Sequence, residues 1–439
     1  MSLKKIILLP ALLLIVVTVQ SQQILSLEEA IATALKNNFD IQLSKNDSAV
    51  AALNYTYRNA VFLPRINGTL NTAWNNNAQK QKFVDGTERK LNDIKSNNYN
   101  AAIQLNWTLF DGLKMFATRN KAEEFIRLGE LGIKDQVVNS ITLVINNYYN
   151  IARQKQLLKA ITEQMSLSQE RVKLAQYKLD IGVGAKPDVL QSKVDHNAQR
   201  ALQMEQQTLI AQLKGMLNQS MNVSDGTEYD ITDTIPINQK VSLGDIQTGI
   251  ENTNPGLLIA KKNIDIANLS LKERKAERWP IIALTSGYSF SRSNNKATVN
   301  PFQPLYSRNV GRNIGLTASI PILNNFNNKR LIKQAQLDIQ YQQLFYENQR
   351  SKINLAVVNA FLEYEQQKKA LALEEENIIL AKENVSIVFQ VYKLNSNTLI
   401  QLKEAEKSLQ DAYTRLITAR YNTKVAETEL LRLKGDLVK

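Results

Sequence analysis

The sequence predicts an α+β membrane protein in which each chain supplies four strands to a β-barrel shared between copies, continued by very long coiled-coil helices. Three observations predict it. Four segments alternate apolar and polar residues over a bilayer-spanning length, the chain is written twice, and its helical parts run for dozens of residues without proline.

The N-terminus comes first. Lys4 and Lys5 precede an apolar run from Ile6 to Val19, and Val19-Gln20-Ser21 offers a small-residue cut. This is the pattern of a secretory signal spanning residues 1–21, too short for a spanning helix. No later run approaches the length of a transmembrane helix, so any contact with lipid must be made by strands. The chain has no cysteine. That excludes disulfides, thiolate metal sites and a lipid anchor at the cut, and no cofactor is implied. The formal net charge of +13, or +11 once Lys4 and Lys5 are removed, is dispersed among acids on helix-like segments. No basic block interleaves with aromatics, so nucleic acid is not the expected partner.

The remaining chain divides into two copies. "LSLEEAIATALKNNFDIQL" at Leu25 is echoed by "VSLGDIQTGIENTNPGLLI" at Val241, and the same shift carries Pro64 onto Pro280. Further on the shift drops by three, so that Ala122 falls on Ala335. Residues 22–240 form the first copy, ending in a linker at about 222–240, and 241–439 form the second. Each reads as helix, strand, loop, strand, long helix, turn, helix.

The strands are expected at about 62–74, 99–110, 280–292 and 312–322. In "YNAAIQLNWTLFDG", Ile103, Leu105 and Trp107 alternate with Asn100, Gln104 and Asn106. The other three alternate likewise. One face carries Asn67, Asn71 and Asn313; the other carries the aromatics Trp74, Tyr288 and Phe290. A soluble sheet with one buried face alternates too. Four such segments without Lys, Asp or Glu fit a barrel with a wet interior better, with the aromatics as an interfacial belt. The segments between paired strands, 76–97 and 293–309, read as long polar loops. Four strands cannot close, and an open edge in lipid leaves backbone groups unpaired. Eight strands would leave a filled interior and twelve a passage, which favours three chains, although two would also close.

The helices carry heptads. Val137, Val144, Ile151, Leu158, Met165, Val172 and Leu179 recur every seven residues, matched by Val357, Tyr364, Leu371, Ile378, Val385 and Tyr392. Such rows call for supercoiled packing. A helix from Gly112 to Lys178 would span roughly 100 Å at 1.5 Å per residue. The tips are expected at 180–188 and 394–400, where Gly182, Gly184 and Pro187 permit reversal and Asp188 stands in the first turn of the returning helix. His196 and the run Glu374-Glu375-Glu376 read as solvated helix residues. "GVGAK" looks like a phosphate loop but lacks its spacing and its strand. Nothing points to an enzyme.

Taken in order, "LSLEEAIATALKNN", "LFDG", "IGVGAKPDVLQSKV" and "LNSNTLIQLKEAE" on a duplicated chain resemble the TolC-like outer-membrane efflux family. The resemblance implies a trimer with a 12-strand outer-membrane barrel and a periplasmic α-barrel. It implies a passive exit duct for efflux of small molecules or for type I secretion, working with a periplasmic adaptor and an energised inner-membrane transporter of RND or ABC type. Gly182, Val183, Gly184, Asp188, Asn395, Asn397 and Thr398 would lie where the adaptor docks. Gln401 and Glu404 match positions at which the family often gates the tunnel, Gln401 without the usual acid. The competing reading is a secreted coiled-coil scaffold or adhesin without a pore, which explains the heptads but not the strands.

Overall fold

The computed structural model describes residues 24–227, 229–237, 242–394, 396 and 398–437. The signal segment, Asn395 and Asn397 lie outside them. In chain order the elements are β1 (Ile24–Leu25), α1 (Leu27–Asn37), α2 (Phe39–Thr56), a 3-10 turn (Arg58–Phe62), β2 (Arg65–Lys82), β3 (Glu88–Phe110), α3 (Lys114–Asp180) and α4 (Lys186–Met221). The second half holds β4 (Asp230–Ile231), α5 (Leu243–Gln247), α6 (Ile250–Thr253), α7 (Pro255–Ala276), β5 (Ile281–Asn295), β6 (Tyr306–Ser319), α8 (Asn327–Lys393) and α9 (Leu399–Lys434). Helices α3 and α8 each run 67 residues, and α4 and α9 each run 36.

Two compact units result, and they are not the two sequence copies. One takes residues up to Gln42, Val137–Thr248 and Ala356–Lys439; the other takes Leu43–Gln136 and Gly249–Leu355. Each unit draws on both copies.

The first unit is helical. Ser26 caps α1 reciprocally: its hydroxyl accepts from Glu29 N–H at 3.2 Å, and Ser26 N–H donates to the Glu29 carboxylate at 3.0 Å. This satisfies two of the free donors at a helix start. Strands β1 and β4 pair in parallel. Around them Tyr148, Val144, Ile151, Leu217 and Ile231 form a buried cluster, and the Tyr148 hydroxyl donates to Leu25 C=O at 2.9 Å. The segment read as a linker is therefore partly core: Tyr229, Ile231 and Ile235 are buried, and Lys155 Nζ donates to Asp230 at 2.8 Å.

The second unit is a four-stranded antiparallel sheet in the order β2-β3-β5-β6, with the helical segments that enter and leave it. All four strands meet helical segments at one end and turns at the other. The strands differ in extent from the sequence expectation. β2 and β3 continue through most of the segment read as a loop, to a short turn at residues 83–87. Asn-rich, Lys-bearing sequence is exposed over most of this extension, with Ile94 and Ser96 buried, so it carries no sustained apolar alternation while its backbone still pairs. β6 likewise starts at Tyr306 and stops at Ser319.

The "LFDG" corner turns strand into helix. Gly112 has φ +73°, and a Cβ there would stand 2.3 Å from Ala276 C=O, so only glycine fits. Asp111 accepts from Met115 N–H at 3.1 Å, supporting the first turn of α3. In the second copy Asn325 and Phe326 take positive φ instead.

Candidate passage and hairpin tips

Register decides which side chains share a face of the sheet. Asn67 pairs with Gln104, Gln104 with Gly287 and Gly287 with Asn313, while Asn71 pairs with Asn100 and Asn106 with Thr285. All six amides singled out from the sequence thus stand on one face. A Cβ on Gly287 would lie 2.7 Å from the Asn313 amide oxygen, so the missing side chain makes room for that amide. Arg65, opposite Asn106, adds one charge to this face at the helix end.

The other face carries the rows Ile66–Leu105–Ser286–Ile314 and Leu70–Ala101–Phe290–Val310, with Trp107 beside Leu284 and Tyr288 beside Ile103. Trp74 belongs to it as well. Trp107 donates its indole N–H to Phe62 C=O at 2.8 Å. Leu70 and Ile314 are each 78% exposed. A row of large apolar side chains facing outward is a surface awaiting an apolar partner. Arg292, Arg308 and Arg312 stand on this face too, where the alternating segments had shown no acid or lysine. Both outer strands, β2 and β6, have an unpaired edge among the described residues. No helix among the described residues is long and apolar enough to cross a membrane.

At the first hairpin tip, Gly182 takes φ +80° and the N–H groups of Val183 and Gly184 both donate to Lys178 C=O, at 3.0 and 2.8 Å. These bonds satisfy a carbonyl at the end of α3. A Cβ on Gly184 would meet Lys178 Cβ at 2.8 Å. Pro187 and Asp188 fall in the first turn of α4. At the second tip, Thr398 caps α9, accepting from Gln401 N–H at 3.3 Å, while Thr398 N–H donates to the Gln401 amide oxygen at 3.0 Å. The Gln401 side chain thus turns back onto its own cap. Glu404 is exposed one turn on, opposite the buried Leu402 and Ala405.

Behind the tips lies a feature the heptads did not show. In the distal part of α3 the fully buried row is Gln164, Ser168, Arg171, Ala175 and Lys178, while Leu158, Met165, Val172 and Leu179 are only half-buried. Arg171 donates to Asp195 on α4 at 3.0 Å and to Glu406 on α9. Lys403 reaches Asp195 at 3.1 Å. Lys178 Nζ donates to Tyr392 C=O at 2.6 Å, with the Tyr392 ring 3.9 Å away. Burial pushes the Glu406 carboxyl above its ordinary range against the opposing pull of Arg171. Burial likewise lowers Lys178, opposed by Asp188. His196 is half-buried, its Nδ1 2.9 Å from Ser168 Oγ, rather than solvated. Glu374 and Glu375 pair with Arg415 and Arg420 at 3.0 and 3.1 Å. Strict apolar periodicity is blind to such a seam; the spacing of Gln164, Ser168, Arg171, Ala175 and Lys178 is the signal that could have found it.

Comparison with known proteins agrees with this geometry. The outer membrane efflux protein family matches the chain over residues 30–222 and again over 250–436. The outer membrane efflux protein BepC of Brucella suis is 21% identical over 426 residues, covering 94% of this chain and 86% of its own length. Outer membrane protein TolC of Salmonella enteritidis is 20% identical, covering 80% and 71%. In fold, the chain resembles CusC with a TM-score of 0.77 at 17% identity, covering 93% of this chain and 92% of that one. It resembles VceC from Vibrio cholerae with a TM-score of 0.76 at 13% identity, covering 93% and 96%. Family match and fold agree: the chain belongs to the outer membrane efflux protein family.

Proposed function

We propose that three copies of this chain close a 12-strand barrel in the outer membrane, the amide face lining a water-filled passage and the helices forming an α-barrel in the periplasm. The observation that carries this reading is the sheet itself: one apolar and one amide face, with unpaired backbone along β2 and β6. In lipid such edges must be closed by another chain. Three chains supply twelve strands, enough for an open lumen. Leu362, Leu373, Leu380 and Ile387 of α8, each more than half exposed, form an apolar row that a neighbouring copy would cover.

The chain acts as a passive exit duct in efflux of small molecules or type I secretion. A periplasmic adaptor docks at the tips, around Gly182, Val183, Gly184, Asp188, Asn395, Asn397 and Thr398, and an RND- or ABC-type inner-membrane transporter supplies energy. Support for docking comes from Ile181, Val183, Leu190, Leu394 and Ile400, apolar side chains left exposed at both tips. Gln401 and Glu404 form the aperture, three copies of Glu404 favouring cations. Export by a cleaved signal at residues 1–21, without lipidation, delivers the chain to that membrane.

Planar-bilayer recording of the purified protein tests the reading. It predicts stable single-channel conductance whose ion selectivity shifts toward anions in Asn71→Arg or Asn100→Arg, both on the amide face. Glu404→Ala should reduce cation selectivity. A protein that inserts but never conducts, or whose selectivity ignores the amide face, would overturn it.

A further inference from the structure

Three arginines on the apolar face of the sheet have no place in a passage. Arg292 and Arg308 are direct cross-strand partners, and Arg312 lies four residues along β6 from Arg308 on the same face, opposite Tyr288. All three are exposed. Arg308 stands 5.5 Å from the Phe290 ring and Arg292 5.4 Å from the Tyr306 ring. Among the described residues none of the three pairs with a carboxylate. Asp93, toward the turn end of β3, is already held by Lys95 at 3.4 Å and Asn76 at 2.5 Å.

Their height is informative. From Ile281 to Arg292 the strand climbs roughly 36 Å at ~3.3 Å per residue, or roughly 28 Å vertically at a tilt of ~40°. That places Arg292 and Arg308 at the upper rim of an apolar band ~25 Å tall. Arg312, two rows lower, lies inside the band and must extend its aliphatic stem upward to keep its head group near the rim. A cation on a lipid-facing wall is costly unless an anion meets it. Three arginines within two rows of one face, two of them beside aromatic rings, offer forked donors that fit a doubly charged phosphate rather than water.

We propose that Arg292, Arg308 and Arg312 bind the phosphate groups of an anionic lipid in the outer leaflet. The site rests on the proposed placement of the apolar face in lipid. It would fix lipid at the β5–β6 rim of every copy.

The test is native mass spectrometry of the detergent-solubilised full-length oligomer, titrated with a bis-phosphorylated glycolipid and with its dephosphorylated form. The wild type should retain the phosphorylated lipid and not the other. The triple variant R292Q/R308Q/R312Q should bind it roughly a hundredfold more weakly, the combined effect of about three basic residues near an anionic lipid surface. Inorganic phosphate at equal concentration should not displace it. Equal lipid binding by the triple variant would overturn the site, and displacement by inorganic phosphate would make it a free-anion site instead. If the triple variant fails to assemble, the single variant R312Q is read in its place: weaker binding supports the site and unchanged binding overturns it. Quenching of Trp74 and Trp107 fluorescence by brominated acyl chains, in a Trp279→Phe background, tests the placement of the apolar face in lipid separately from the arginine site. Quenching with unaltered lipid binding in the triple variant defeats only this site; absence of quenching defeats the placement beneath it.

Discussion

The two long helices make an instructive pair. Helix α8 buries Val357, Tyr364, Leu371, Ile378, Val385 and Tyr392, an unbroken heptad row. Helix α3, of identical length, buries Val144 and Ile151 in its middle and then switches to Gln164, Ser168, Arg171 and Lys178 toward the tip. The buried row of α8 is apolar throughout; that of α3 becomes, near the tip, a charged seam whose partners come from α4, α8 and α9. Burial of apolar surface is indifferent to pH, whereas a buried charged seam responds to the protonation of its members. The two long helices therefore bury their tip ends by different forces, and the charged seam that α3 brings draws Tyr392, Lys403 and Glu406 from the second copy.

Removing the centre of the charged seam should have the largest effect. Arg171→Met leaves the Glu406 carboxylate without its ion-pair partner and Asp195 with Lys403 alone, a loss of about 3–5 kcal/mol. Hydrogen exchange over residues 164–200 should accelerate accordingly. If protection there is unchanged, the seam contributes nothing. The apolar counterpart, Ile378→Ala, should cost about 2–5 kcal/mol through lost burial and the cavity left behind. Its loss should be the same at every pH, and a pH-dependent loss would erase the contrast between the two helices.

Acidity sharpens the comparison further. Because burial raises the Glu406 carboxyl, the folded chain holds a proton that the unfolded chain would release in the window between its ordinary and raised values. Its contribution to stability therefore rises as pH falls through the raised value and levels off below the ordinary one. Exchange protection at the first tip should increase as pH falls through the raised value, and Glu406→Gln should flatten that response. A protection profile that falls over the same range would contradict the sign. The smallest effect belongs to the second tip, where Thr398→Ala removes the cap of α9 at a cost of about 1 kcal/mol. Melting confined to the first turns of α9 is the expected reading.

Apolar periodicity was a sound guide in α8 and in the sheet but not in distal α3, where Leu158, Met165, Val172 and Leu179 are only half-buried. The buried row of α8 and the two faces of the sheet follow directly from spacing, because alternation and heptads record which side chains avoid water. The charged seam of α3 was not legible, since Arg171 and Lys178 look like surface residues until Asp195, Glu406 and Tyr392 are brought to them from other helices. The length of the β2–β3 hairpin was hidden for a related reason. Lys80, Lys82 and the surrounding amides belong to backbone-paired strand that is mostly exposed, a state with no signature in hydropathy. The linker was misread because three isolated apolar residues, Tyr229, Ile231 and Ile235, make no pattern of their own.

The central claim is that this open sheet is one third of a closed wall. The chain's lack of cysteine makes it directly testable by disulfide trapping. Cysteines introduced along β6 at Ile314 and Leu316, combined with cysteines along β2 at Ile66 and Leu70, should oxidise across copies in membranes. They should yield a covalent species of three chains and no larger. A ladder ending at two chains, or cross-linking no greater than for cysteines placed at the centre of the sheet on β3, would contradict the account.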